Sequence, residues 1–496
     1  MLSRVASSKE DFNYVALLKS CAQNKDLCKG TRIHADVVKR GFLERVPYLS
    51  TTLINMYAKC GAIEKAQQIL EEISFRDVVS WNALIAGYAQ QGQCHEAMDC
   101  FKRMRNEGLT PNSVTFICIL KSCGKIRDIK NGKRIHYEIV IRELLEKDVM
   151  LGTTLVDMYA KCGLLNKAEE VLGDLMERNA VSWNVLISGY VEQGNCHEAW
   201  NCFKRMESDG LAPDVITFIC ILKACGNSGA VDKGKEIHYH LVNRDLLEKE
   251  IMIGNALVDM YVKCGMLVKA REVFDELLNR DVVSWNALIS GYSHQGESNE
   301  AFHCIEQMQS EGLLPNVVTS ICILKACSST RNLEKGKQIH IKVASNGFLE
   351  KQIDLGKALL DMYVKCGALD RAQKVLEENL IWDEVSWNVL IASYSQQGHH
   401  FQALNCFERM QREGYFPDLV TFMCILKACG SAGVIQKVSC IYDELRTVEN
   451  GELKGKHEKE MTIRNCKEEL VSMLKPYAKK DDCKASIHVG LLEKSP

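Results

Sequence analysis

The stretch VVSWNALIAGYAQQGQCHEAMDCFKRMRNEGLTPN, Val78 to Asn112, decides how the whole chain is read. Trp81, Leu84 and Ile85, followed by Ala97, Cys100, Phe101 and Met104, repeat at the i, i+3, i+4, i+7 spacing of two amphipathic helices. Gly92 marks the turn between them, and the closing Gly and Pro punctuate the end of the second. The same stretch returns along the chain. Trp81, Trp183, Trp285 and Trp387 are each 102 residues apart, and Pro111, Pro213, Pro315 and Pro417 keep that step in EGLTPN, DGLAPD, EGLLPN and EGYFPD. A fixed period of this kind is the signature of a repeat architecture.

Each period holds three phrases of 35, 36 and 31 residues: the one above, then Ser113 to Asp148 with TFICILKSCG and GKRIH, then Val149 to Asn179 with LVDMYAKCGLLNKAEEVL. They are termed standard, long and short. Each predicts a helix pair, and a pair of this size cannot bury its apolar faces alone, so neighbours must stack. The expected fold is all-α, a superhelical α-solenoid, in place of the three globular domains that 496 residues suggest at about 150 residues each.

Composition bounds the function. With 46% hydrophobic and 25% charged residues the chain can build a core, and charged residues interrupt every apolar stretch before the length of a spanning helix is reached. The 62 Lys+Arg against 64 Asp+Glu leave a net charge of -2, unlike a protein that grips a duplex through its phosphates. Cysteine is abundant, at 23 residues, but most of it falls into columns: Cys60/162/264/366, Cys100/202/304/406, Cys118/220/322/424, Cys21/123/225/327/429 and Cys94/196. Equivalent thiols one period apart are separated by several helix widths of about 8–10 Å, and no C-x-x-C occurs, so these are read as reduced, buried small hydrophobes in a reducing compartment. His34, His136, His238 and His340 form another column, too dispersed for one metal, and are read as structural positions.

The phrases SWNALIAGY…EAMDCFKRM…G.TPN, TFICILKSC…GKRIH and LVDMYAKCG…KAEEVL resemble the pentatricopeptide repeat proteins, specifically the plant-type class that alternates standard, long and short motifs. The resemblance covers residues 11–454 as about thirteen motifs. Long ones begin at Asp11, Ser113, Val215, Val317 and Leu419; short ones at Pro47, Val149, Ile251 and Ile353; standard ones at Val78, Ala180, Val282 and Glu384. Residues 1–10 form a short leading segment. The charged stretch 455–496 is a tail, read as a degenerate cap or mobile end, or else as a docking segment.

The resemblance implies recognition of single-stranded RNA, one base per motif, with the fifth and last residues of a motif reading the base edge. Uracil and guanine carry a ring N–H, whereas cytosine and adenine present a ring nitrogen acceptor; Asp only accepts and Asn can donate. A last-position Asp thus favours U or G, and Asn favours C or A. In the family's code a fifth-position Thr goes with purines and Asn with pyrimidines. Thr51 with Asp77 then implies G, and Asn82 with Asn112 a pyrimidine, C preferred. Thr153 with Asn179 implies A, while Asn184 with Asp214 and Asn255 with Asp281 imply U. Asn286 with Asn316 implies a pyrimidine, and Asn388 with Asp418 implies U. The motif at Ile353 departs from the pattern, with Lys357 fifth before Asp383, and with Trp382 where the others have Arg76, Arg178 and Arg280.

The long motifs carry Val15, Ile117, Ile219, Ile321 and Met423 at the fifth position; these cannot bond a base edge and mark the long motifs as spacers. With n unread and Y a pyrimidine, the implied order is n-G-Y-n-A-U-n-U-Y-n-n-U-n. Val79, Val181, Val283 and Val385, second in the standard motifs, are expected as apolar wedges beside the bases, core packing being the alternative. The fifth-position Asn residues have helix-start polar residues as theirs. The lysine columns Lys19/121/223/325/427 and Lys59/161/263/365 either line the RNA groove or are solvated.

Members of this class resemble RNA-editing factors, many with a C-terminal zinc deaminase domain bearing H-x-E and P-C-x-x-C. Here His136-Tyr137-Glu138 matches H-x-E inside a repeat with no C-x-x-C to complete it, and Cys440, Cys466 and Cys483 are too widely spaced to replace one. The expectation is therefore no catalysis, no metal and no cofactor. The reading is an RNA-binding adaptor for C-to-U editing with a deaminase recruited in trans, the alternatives being an RNA stability or processing factor or a protein-binding scaffold. The start MLSRVASSKEDF is too short and too soon acidic for a full transit peptide. The resemblance implies an organelle, with the MLSR start favouring the mitochondrion over the plastid.

Overall fold

The computed structural model describes residues 9–42, 47–73, 75–146, 148–345, 352–378 and 383–432, and among these residues regular structure is helical, with no strand. Two compact units, Met1–Cys264 and Gly265–Pro496, divide the chain, each a stretch of α-solenoid built from stacked helical hairpins.

In the first unit the hairpins include Val78–Gln91 with Cys94–Asn106, Ser113–Ile126 with Ile129–Ile141, Val149–Lys161 with Leu165–Asp174, and Ala180–Glu192 with Cys196–Ser208. The second unit repeats the plan with Val282–His294 and Ser298–Ser310, Val317–Thr330 and Leu333–Ser345, Ile353–Lys365 and Leu369–Glu378, and Glu384–Gln396 and His400–Arg412. From Pro47 onward, every motif start read from the sequence is the first residue of a helix. The first helix begins at Lys9, ahead of the expected Asp11. Residues 1–8, Trp382 and everything after Ala432, including the tail and its three cysteines, lie outside the described residues.

Local chemistry sets these boundaries. The last residue of most motifs is the N-cap of the next helix: Asp77 accepts the Ser80 N–H at 2.8 Å, Asn112 that of Thr115 at 3.1 Å, and Asp214 that of Thr217 at 2.9 Å. An N-cap of this type satisfies one of the otherwise unpaired first-turn donors and contributes about 1 kcal/mol. Gly92 stops the first helix with a φ of 82°, a left-handed conformation that glycine adopts without steric cost.

Within each unit, the first helix of a motif packs on its own second helix and on the first helix of the next motif. Trp81, Leu84 and Ile85 meet Ala97, Phe101 and Met104 in this layer, all fully buried. Close approach explains two glycines. A Cβ on Gly87 would lie 2.7 Å from the Ala58 Cβ, and one on Gly132 would lie 2.6 Å from the Met158 sulfur. That Met belongs to the DMY phrase of the short motif, so GKRIH and DMY are two halves of one contact. The histidine column belongs to the same joint: His34, His136, His238 and His340 each place Nδ1 2.9 Å from the hydroxyl of Tyr57, Tyr159, Tyr261 and Tyr363.

Among the described residues, the column cysteines form no disulfide and are buried or half-buried. Burial pushes Cys123 up to about 12 and Cys100 up to about 11, which keeps them as neutral, unreactive thiols. In the H-x-E match, His136 is held by Tyr159 and Glu138 pairs with Arg105 and Arg142, so both residues serve packing between repeats. No helix of the described residues is long and apolar enough to cross a membrane.

Candidate nucleic-acid interface

In three of the four standard motifs the fifth and last residues are directly hydrogen-bonded. Asn184 lies on the first turns of Ala180–Glu192 and Asp214 caps Val215–Ser228, and the Asn184 Nδ2 donates to Asp214 Oδ1 at 2.9 Å and Oδ2 at 3.1 Å. Asn82 Nδ2 donates likewise to Asn112 Oδ1 at 3.0 Å, and Asn286 Nδ2 to Asn316 Oδ1 at 3.2 Å. Asn388 and Asp418 are joined through Thr421, whose hydroxyl contacts both.

A third residue, missed in the sequence, fixes the arrangement. Thr217 Oγ1 accepts the Asp214 N–H at 3.1 Å, so its own proton is free to donate, and it lies 2.6 Å from Asn184 Oδ1. The carbonyl end of the Asn184 amide is thereby tied inward and its NH2 end turned toward Asp214. Thr115 and Thr319 hold Asn82 and Asn286 in the same way, at 2.6 and 2.7 Å. The signal was available: Thr recurs in TFICIL, TFICIL, TSICIL and TFMCIL at Thr115, Thr217, Thr319 and Thr421, all fully buried.

Capping decides which atom of the last residue faces a ligand. Asp214 Oδ1 takes the Thr217 N–H and the shorter Asn184 contact, each at 2.9 Å, leaving Oδ2 with only the longer Asn184 contact. Asn112 also uses Oδ1 for its cap, so its remaining polar atom is the Nδ2 donor. The same backbone position thus presents an acceptor when it is Asp and a donor when it is Asn. Burial pushes the Asp214 carboxyl up, but the hydrogen bonds from the Thr217 N–H and the Asn184 amide help outweigh it, and the group is held below the usual Asp range. It remains an acceptor at neutral pH.

The second residues border these pairs. Val181, Asn184, Asp214 and Ile216 share one recess of about 290 Å³, with Lys161 and Ser188 also on its lining. Val79, Val181, Val283 and Val385 are more than half exposed, which rules out core packing as their role. The second residues of the long motifs, Val114, Ile216, Val318 and Val420, are equally exposed, as are Met150 and Met252 of the short ones. The sequence reading assigned wedges only to the standard motifs; the apolar second position in every flavour was the unused signal.

Elsewhere the pairs differ. Thr153 returns its hydroxyl to the Val149 carbonyl at 2.9 Å, and no hydrogen bond joins it to Asn179 or Thr51 to Asp77 among the described residues. Asp77 and Asn179 serve as caps. Asn255 is buried in the first unit and Asp281 caps a helix of the second. In the long motifs the polar arrangement is absent at its core: Ile117, Ile219 and Ile321 stand at the fifth position, and Leu151, Ile253 and Leu355, all buried, take the place of the threonine. Of the lysine columns, Lys161, Lys263 and Lys365 pair with Asp157, Asp259 and Asp361 at 2.7, 2.8 and 2.9 Å. Lys121, Lys223, Lys325 and Lys427 are exposed, without a carboxylate partner among the described residues.

The profile of the PPR repeat family matches residues 76–125, 178–227, 280–329 and 383–431, and that of the single PPR repeat matches 49–78, 153–179 and 255–282. A chloroplastic pentatricopeptide repeat-containing protein of Arabidopsis thaliana is 34% identical over 84% of this chain and 67% of its own length. A mitochondrial one from the same plant is 33% identical over 89% of this chain and 42% of its own length. A third is 37% identical over 84% of this chain and 60% of its own. The chain spans about half to two thirds of the length of the first of these curated relatives. Among solved structures, the pentatricopeptide repeat protein PPR10 in complex with an 18-nucleotide psaJ RNA element superposes with a TM-score of 0.63 over 90% of this chain and 70% of that one, at 18% identity.

Proposed function

Because the chain belongs to the pentatricopeptide repeat family, we propose that it binds single-stranded RNA sequence-specifically, one base per readable repeat. The observation that carries this reading is the Asn184–Asp214–Thr217 arrangement, recurring through the standard motifs beside exposed apolar second residues. A base entering the recess between Val181 and Ile216 meets apolar side chains on its faces and one oriented polar atom at its edge. Asp214 Oδ2 accepts the ring N–H of uracil, and Asn112 Nδ2 donates to the ring nitrogen of cytosine. Asn184, buried and bonded at both ends, acts by filling the slot to pyrimidine size and by aiming the carboxylate. At Thr153 the shorter side chain leaves room for a purine.

Base-by-base reading accounts for the balanced charge. Three of the candidate groove lysines are already neutralised by Asp, so affinity rests on stacking and edge contacts and falls only gently with salt. The alternation of long, short and standard motifs supports the plant-type alternating class, and with it a role as specificity factor for C-to-U editing, with the deaminase in trans and no chemistry by this chain. The chloroplastic and mitochondrial names of the relatives support an organelle, mitochondrion or plastid.

The test is binding to RNA of the order n-G-Y-n-A-U-n-U-Y-n-n-U-n. Changing U to A opposite Asn184 and Asp214 should cost about 1–3 kcal/mol, and the double variant Asn184→Thr, Asp214→Asn should prefer A. Equal binding to scrambled RNA would sink the reading in favour of a protein-binding scaffold.

A further inference from the structure

The slot between the motifs beginning at Ile353 and Glu384 is built from different chemistry. Its last residue is Asp383, which caps the next helix by accepting the Ser386 N–H on Oδ1 at 3.1 Å and the Ser386 hydroxyl on the same atom at 2.8 Å. That leaves Oδ2, the atom that Asp214 presents outward. Here Lys357, at the fifth position, places its ammonium 2.6 Å from Asp383 Oδ2. The second residue is also changed, from an apolar or aromatic side chain to the exposed Asp354. The preceding motif, from Val317, has the apolar Ile321 at its fifth position.

We propose that the Lys357–Asp383 ion pair makes this repeat indifferent to base identity, so that two consecutive unread nucleotides separate the upstream reading block from the uracil read by Asn388 and Asp418. The inference rests on the RNA-reading role above and adds a specificity-determining residue, Lys357. Its chemistry is direct. The outward carboxylate oxygen, which elsewhere selects a ring N–H, is covered by an ammonium. That ammonium carries three rotatable donors and no acceptor, and all four bases offer an acceptor on the exposed edge, so it satisfies each without choosing. Asp354 supplies no apolar wall on the other side. The pair is partly solvated, with side-chain exposures of 39% and 41%, so it is in reach of an incoming base.

Equilibrium binding of the purified chain to RNAs with U, C, A or G at the eleventh nucleotide tests the proposal, with the sixth nucleotide, opposite Asn184 and Asp214, as internal reference. Wild type should bind the four within about two-fold. Lys357→Asn recreates the Asn–Asp pair of the uracil slots and should favour U by about ten-fold, the effect of one matched edge contact. Lys357→Ala uncovers Oδ2 without filling the slot and should favour U and G over C and A. A wild-type preference for U or G of five-fold or more overturns the proposal. So does an absence of new preference in both variants while the swap at Asn184 and Asp214 succeeds. Failure of that swap as well would mean that the base-reading role itself is wrong.

Discussion

The indole N–H of Trp81 donates to Glu107 Oε2 across 2.9 Å, while Oε1 of the same carboxylate takes the Arg76 guanidinium at 2.8 Å. Arg76 also donates to the Leu70 and Glu71 carbonyls, so one arginine closes the end of a short-motif helix and ties it to the following standard motif. Arg280, Trp285 and Glu311 repeat the arrangement, with Trp285 donating at 3.1 Å.

Two periods leave the indole unmet, at Trp183 and at Trp387, and in the first of them the cause is local. Asp209 replaces Glu107, and being a methylene shorter it reaches Arg178 at 3.1 Å but not Trp183, whose buried Nε1 has no partner. An unmet buried donor costs about 1–3 kcal/mol, so Asp209→Glu should stabilise the first unit by about 1 kcal/mol, seen as a raised urea midpoint. An unchanged midpoint would show that the indole is satisfied in another way.

Thr217 should govern discrimination as well as stability. Thr217→Val leaves the Asp214 N–H and the Asn184 carbonyl without their hydroxyl partner, at a cost of about 1–3 kcal/mol, and releases the amide that aims the carboxylate. The preference for U over A at that nucleotide should fall toward parity, while Thr217→Ser, which keeps the hydroxyl, retains it. Undiminished discrimination in the Val variant would confine Thr217 to a capping role.

The histidine joints predict acid sensitivity. Burial lowers the pKa of His34 and of His136, with Lys65 and Lys167 adding to it and Glu72 and Asp174 opposing it. The neutral ring shares a hydrogen bond between Nδ1 and the Tyr57 or Tyr159 hydroxyl. An unfolded chain therefore binds these protons first, and stability falls as pH drops below the ordinary histidine value near 6.5, with no contribution at higher pH. Urea midpoints measured from pH 7.5 down to 5 should decline less steeply in the double variant His34→Gln, His136→Gln than in wild type. Parallel profiles would remove these residues as the cause.

What sequence by itself determined is local or periodic. The 102-residue step located the repeats, and helix starts followed because an Asp or Asn cap acts on an N–H only three residues away. The Asn184–Asp214 pairing was accessible only through resemblance, since its partners stand 30 residues apart. Tertiary structure alone decided the rest: that Thr217 ties down the Asn184 amide, that the second residues of the long motifs are exposed beside those of the standard ones, that Lys357 covers Asp383, and that Asp209 stops short of Trp183. Each depends on the distance between atoms of neighbouring motifs, where one methylene or one hydroxyl changes which group is satisfied. Periodicity places such residues on the same joint but does not say whether they touch.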